Sequence, residues 1–278
     1  MGVSSVWGGI YGGYLRINER PTGSPEQSNS GEGLAFGLDY TLAPAAFVGA
    51  AFGLDRRDFK IPAFSGSGSD NGYHFALYGR IDFDSLYLQA AGAYSIYHIH
   101  TSRTVAYTGA SGSYDTDFNG HGLGGRVELG FHLPVTGLTA FGAVISDSIT
   151  MPAYSERVES GSTMLAVQSP SNNFRRTRSE LGLDLGTTAE AIPGPLLAHI
   201  RAGWAHEYDG ETIPIAFEAF PEQGFVLRGA KLPDSGFVSG GLAVTVMPNV
   251  TLGANLEGMF GSGSAVGYGG NAEFRVIW

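Results

Sequence analysis

Apolar and polar positions alternate with a period of two along most of this chain. Leu34, Phe36, Leu38, Tyr40 and Leu42 share one parity, against Ala35, Gly37, Asp39 and Thr41. Tyr73, Phe75, Leu77, Ile81 and Phe83 oppose His74, Ala76, Tyr78, Arg80 and Asp82. Leu123, Val127, Leu129, Phe131 and Leu133 oppose Gly124, Arg126, Glu128 and His132, and Leu181, Leu183 and Leu185 oppose Glu180, Gly182 and Asp184. Side chains alternate faces along a strand, so each run has one apolar and one mostly polar face. Twelve segments of this kind are predicted near 3–17, 32–42, 46–60, 71–83, 86–100, 117–133, 138–154, 176–189, 196–208, 235–246, 250–261 and 265–278. The charge-free stretch from Ser235 to Leu256 is long enough to span a bilayer as a helix. Its apolar residues alternate, however, and Pro248 and Asn249 interrupt it, so it reads as two strands and a turn.

The connections between these segments alternate in length. Short ones are Ala43-Pro44-Ala45, Asp84-Ser85, Pro134-Val135-Thr136-Gly137, Ile192-Pro193-Gly194-Pro195 and Met247-Pro248-Asn249. Long ones run near 18–31, 61–70, 101–116, 155–175 and 209–234, with a short exception near Ser262 to Ser264. Outer-membrane barrels have short periplasmic turns and longer outside loops, whereas a sandwich has no reason to gather its long loops at one end. The prediction is an all-β fold, a twelve-stranded antiparallel transmembrane β-barrel that occupies 1–278 as one domain.

Composition fits that reading. Only 15% of residues are charged, and lysine is reduced to Lys60 and Lys231. Soluble domains carry about a quarter charged residues. Glycine accounts for 43 of the 278 positions, which suits the bends and close approaches of a curved sheet. Cysteine is absent, which excludes disulfides and cysteine-ligated metal. The net charge of −10 argues against nucleic acid as a partner. Met1-Gly2-Val3-Ser4 has neither a basic region nor a long apolar core, so no secretory signal is expected within the chain.

The polar parity carries charge in many strands. Arg80 with Asp82, Arg126 with Glu128, and Glu273 with Arg275 each sit two residues apart and share a face. An arginine on the lipid side of a barrel costs about 2–4 kcal/mol at mid-membrane. These charges are therefore expected to point into a wet lumen. By parity the lumen lining comprises Asp39, Arg80, Asp82, Arg126, Glu128, Asp184, Arg201, Glu257, Glu273 and Arg275.

Several segments resemble one family. Phe217 to Gly229 (FEAFPEQGFVLRG), followed by Asp234 and a Gly-rich strand, resembles the late region of autotransporter translocator domains. Ala202-Gly203-Trp204-Ala205-His206-Glu207-Tyr208 resembles that family's aromatic-His-Glu strand end. Val6-Trp7-Gly8-Gly9 and Gly33 to Tyr40 fit more loosely. The closing Phe274-Arg275-Val276-Ile277-Trp278 is similar to the tail that the barrel-assembly machinery reads, with Phe274, Val276 and Trp278 as the signal. The resemblance implies a monomeric barrel in the outer membrane of a Gram-negative bacterium. It anchors and helps export an amino-terminal passenger, without enzymatic activity, cofactor or metal. Its partners would be outer-membrane lipid, the assembly machinery, and its own passenger and linker helix, both expected upstream. A stand-alone pore and a barrel enzyme are the alternatives.

For an enzyme, His98, His100, Asp115, Asp117 and His121 are the best group, since Asp and His near a rim can activate water or bind metal. The spacing matches no ligand motif, and ordinary rim polarity explains it better. No G-x-S-x-G elbow occurs, and the Gly-rich runs Ser65 to Ser69 and Gly261 to Ser264 lack the lysine and helix of a phosphate loop. Trp7, Trp204 and Trp278 are placed in an aromatic girdle at the membrane interface.

Overall fold

The computed structural model describes residues 4–18, 25–107, 110–191, 193–208, 212–228, 233–261 and 265–278. In chain order the strands are β1 (Ser4–Ile17), β2 (Gln27–Ala43), β3 (Ala46–Ile61), β4 (Gly66–Phe83), β5 (Leu86–Tyr107), β6 (Ala110–His132), β7 (Leu138–Met151), β8 (Tyr154–Ser155), β9 (Arg157–Gly161), β10 (Val167–Ser169), β11 (Asn172–Ala189), β12 (Leu196–Glu207), β13 (Thr212–Phe217), β14 (Phe225–Arg228), β15 (Ser235–Met247), β16 (Val250–Gly261) and β17 (Ala265–Ile277). Among the described residues no helix is long and apolar enough to cross a membrane.

The twelve long strands form a ring. β1 through β7 pair in sequence, then β11, β12, β15, β16 and β17, and β17 pairs with β1. Every neighbour is antiparallel, as short turns require. At the seam the Trp278 amide donates to the Ser4 carbonyl at 2.9 Å, and the Ser4 amide returns a bond to the Trp278 carbonyl at 3.2 Å. The closed ring leaves no strand edge within the wall.

Burial is inside out relative to a soluble fold. Leu38, Leu77, Leu129 and Leu256 are between 54% and 73% exposed on the outer wall, whereas Glu128 is 4% exposed. A contiguous apolar surface of this size belongs against lipid. On the inner face, large rings lie over glycines. A side chain at Gly37 would collide with the Trp7 ring, and one at Gly130 with the Tyr87 ring.

Several strands extend past their predicted ends. β4 begins at Gly66, so the expected long loop over 61–70 is a single 3-10 turn at Pro62–Phe64. β5 continues to Tyr107 and β6 begins at Ala110, and the two stay paired as an overhang. The stretches 155–175 and 209–234 also hold short strands, and β14, β13, β10 and β8 form a small sheet there. Ladder pairing is a property of the backbone and continues wherever register permits. The alternation seen in sequence requires lipid on one side, and it fades once both faces are wet.

A polar tie spans the seam on the inner face. Arg275 of β17 donates to Asp39 of β2 across β1, and also to Ser5 Oγ at 2.9 Å. Ser5 Oγ donates to Asp39 at 2.9 Å, and the Tyr78 hydroxyl donates to the same carboxylate. Trp7 Nε1 donates to the Tyr78 hydroxyl at 2.6 Å. Removing the carboxylate strands several donors at once. Asp39→Ala is expected to lower stability to urea in detergent by about 1–3 kcal/mol. Asp82→Ala, which breaks a pair whose carboxylate is 40% exposed, is expected to cost less than about 1 kcal/mol. Equal midpoints for the two variants would show that Asp39 does not tie the seam.

Candidate functional site

The inner face gathers charge into networks. Arg126 and Glu128 lie two residues apart on β6, and parity turns both away from the exposed leucines. Glu128 accepts from Arg126 at 2.6 Å, from Arg201 of β12 at 2.7 and 3.1 Å, and from the Tyr87 hydroxyl at 2.6 Å. Arg126 also reaches Glu180 of β11 at 2.9 Å, and Arg178 meets Glu180 at 3.1 Å. Asp184 lies 3.9 Å from Arg201, whose guanidinium stands 3.4 Å over the Phe141 ring. A buried carboxylate with this many donors stays ionised and fixed.

The remaining predicted lining residues are placed as follows. Arg80 donates to Asp82 at 2.7 Å and lies 3.8 Å over the Tyr87 ring. Asp39 and Arg275 form the seam tie. Glu257 lines a cavity of about 630 Å³ together with Tyr11, Arg57, Arg126, Arg178 and Arg201. Glu273 sits between its cross-strand partners Gly9 and Gly253. Thus Arg126, Glu128, Asp184 and Arg201 come together, Asp39 joins Arg275, Arg80 joins Asp82, and Glu257 and Glu273 stand apart from these pairs. Sequence reading passed over Tyr78, Tyr87, Arg178 and Glu180. Parity was available for them, since Tyr78 shares its face with Arg80, and Glu180 with Asp184.

One expectation is corrected. Trp7 does not belong to an interfacial girdle, because it lies on the inner face and is hydrogen-bonded to Tyr78. Its neighbour Gly37 provides the space that draws the ring inward. Trp204 and Trp278 are exposed on the outer wall. The rim histidines do not converge. His98 donates to Asn119 at 2.5 Å, His100 to Asp117 at 2.8 Å, and His121 pairs with the Tyr94 hydroxyl at 2.9 Å. The first two are directly opposed cross-strand pairs and the third is a diagonal one, so each polar side chain is satisfied separately on the sheet face. Among the described residues no group of three or more His, Asp or Glu is placed to hold a metal ion.

Beyond the wall, the connection after β7 docks on the inner face of the β5–β6 overhang. Arg103 makes two bonds of 2.6 Å to Glu156 and a third of 2.5 Å to the Leu165 carbonyl. The Tyr114 hydroxyl donates to the Ser162 carbonyl at 2.6 Å, and Tyr154 stacks on Phe118 at 4.7 Å. Burial, reinforced by the Glu156 carboxylate, pushes the Tyr154 phenol above its ordinary range. Paired and stacked in this way, the connection is built structure at the barrel mouth.

The family model described as "Autotransporter beta-domain" matches residues 6–257. An extracellular serine protease of Serratia marcescens is 26% identical over 211 residues, which is 74% of this chain and 19% of that protein. The chain therefore spans about a fifth of that relative. The translocator domain of the autotransporter NalP from Neisseria meningitidis superposes with a TM-score of 0.79 at 16% identity, covering 98% of this chain and 88% of that one. The β domain of the Bordetella autotransporter BrkA gives 0.68 at 20% identity, covering 98% of each chain.

Water access is expected to separate the two faces of the wall. Single cysteines at Arg80, Asp184 and Glu257 are expected to react with water-soluble thiol reagents in liposomes. Cysteines at Leu38, Leu129, Leu183 and Leu252 are expected to be shielded by lipid. The opposite labelling pattern would reverse the assignment of faces.

Proposed function

Because the chain belongs to the autotransporter beta-domain family, we propose that it anchors an amino-terminal passenger in the outer membrane and provides the polar conduit for its export. The barrel is an outer-membrane protein of type V secretion. The observation that carries the reading is the closed ring with apolar residues outside and an ionised network within. With no water in the hydrocarbon core, only a closed barrel or helices can cross, and this chain closes a barrel. Mixed charge on the inner wall favours a hydrated segment passing through. The lumen lining comprises Asp39, Arg80, Asp82, Arg126, Glu128, Asp184, Arg201, Glu257, Glu273 and Arg275.

The barrel acts as a monomer, since the ring leaves no strand for a partner to extend. The whole outer circumference is occupied by lipid. The barrel-assembly machinery reads the Phe274, Val276 and Trp278 face of the last strand. Conduit and anchor suit this geometry better than hydrolysis at the rim, because the rim histidines are dispersed into separate pairs.

Export is tested with a reporter fused upstream of Ser4, behind a signal peptide. Added protease is expected to digest the reporter on intact cells. A reporter that is protected until the outer membrane is opened, in cells whose barrel is folded, would overturn the conduit.

The tail is tested by deleting Trp278. One interfacial ring is lost, so refolding in detergent is expected to succeed with a modest loss of stability. Assembly in cells is expected to fail, with the chain degraded or unfolded in the periplasm. Normal outer-membrane levels would refute the signal, and failure in detergent as well would mark Trp278 as purely structural.

A further inference from the structure

Away from the Glu128 network, three inward residues on adjacent strands form a chain of contacts. Asp55 is on β3, His74 on β4 and Ser95 on β5. His74 and Ser95 are cross-strand partners, with Ser95 Oγ 2.8 Å from His74 Nδ1. The other ring nitrogen, Nε2, lies 3.1 Å from Asp55 Oδ1. Hydroxyl, imidazole and carboxylate thus follow in the order that activates a nucleophile. Ser95 and the Asp55 side chain are each 7% exposed.

Three observations set this group apart from a simple hydrogen bond that satisfies a histidine. First, Asp55 Oδ1, His74 Nε2 and the nearby Asp70 Oδ1 are buried without an aligned hydrogen bond. Such atoms are rare in folded chains, and catalytic contacts are often loosely aligned before substrate binds. Second, the carboxylate is held from behind, since Arg57 donates twice to Asp55 Oδ2, at 2.9 and 3.1 Å. The imidazole packs edge-on against Tyr97 at 5.8 Å, and Arg57 lies 5.5 Å from the same ring. Third, position 72 carries no side chain, and a Cβ there would collide with both Asp55 and His74. Asp55 and Arg57 also line the lumen cavity of about 630 Å³.

We propose that Ser95 is an acyl-accepting nucleophile with His74 as its general base and Asp55 as the positioning residue, acting on a small hydrophilic carboxylic ester that enters the lumen. Ser95 Oγ bonds to the ester carbonyl carbon as its proton passes to His74 Nδ1. Collapse breaks the bond to the leaving oxygen, which departs as an alcohol carrying that proton. Water, deprotonated by His74, then attacks the acyl-serine and releases the acid, and the proton returns to Ser95.

The proposal rests on the inner face being open to water, and the test separates the two. The probe is a water-soluble fluorophosphonate applied to the chain folded in detergent, with heat-modifiable gel mobility as the check of folding. Ser95 Oγ attacks phosphorus, its proton passes to His74, and fluoride leaves. An adduct on the Ser95 peptide is expected. It is expected to be lost in Ser95→Ala and to form at least tenfold more slowly in His74→Asn and Asp55→Asn. His98→Asn, on the outer wall, is expected to leave the rate unchanged. In parallel, Ser95→Cys is expected to react with a water-soluble thiol reagent. Thiol reaction without a fluorophosphonate adduct on the native chain would overturn the relay and leave the wet lumen standing. Absence of both would overturn the lumen as well. An adduct whose rate ignores His74→Asn in a folded barrel would overturn the general base.

Discussion

The fold depends on one constraint, the pairing of backbone N–H and C=O groups in a medium that offers no water. An unpaired peptide group in hydrocarbon costs several kcal/mol. A sheet meets that demand everywhere except at its edges, and the pairing of β1 with β17 removes the edges. Side chains are then sorted by what each face meets. Leucine and phenylalanine cover the outside, and glycine, tyrosine and ionised groups fill the inside. Strand ends obey a looser rule, since water can satisfy whatever the ladder does not. This allows β5 and β6 to overhang and the neighbouring connections to fold back on them.

Inside the wall the difficulty is reversed, because charge must be kept in place. Glu128 illustrates the solution. It is almost fully buried, yet two guanidinium groups and a phenol, from its own strand and two others, converge on it. A lone buried carboxylate would be costly, whereas a fully bonded one fixes the strands that supply its partners. Asp39 does the same at the seam, where its bonds reach from the last strand across the first to the second and fourth. The lumen is therefore cross-braced by polar bonds on a surface that still presents charge to water.

Much of this architecture was legible in the chain. Period-two alternation located all twelve wall strands, and β16 occupies the predicted 250–261. Parity also set Leu129 and Glu128 on opposite faces, and their exposures are 54% and 4%. The strand extensions were hidden, since 66–70 is polar throughout and 101–116 lacks a sustained alternation of apolar and polar positions. Trp7 was misread for a related reason. Its size suggested the interface, while the cause of its inward turn is a glycine thirty residues away in the chain. Site geometry was least legible. That His74 faces Ser95 depends on the β4–β5 register, and that Arg201 reaches Glu128 depends on closure of the ring. Neither follows from local spacing.

The meeting of Ser4 with Trp278 has a topological consequence. In the finished barrel every wall strand has two neighbours, so no strand is first. The seam is one antiparallel pairing among twelve, distinguished by the lack of a covalent turn rather than by its bonding. Which strand carries number one is thus a record of the order of synthesis. The folded wall itself is a cycle, and its energetics would be nearly the same if the chain were cut at another short turn.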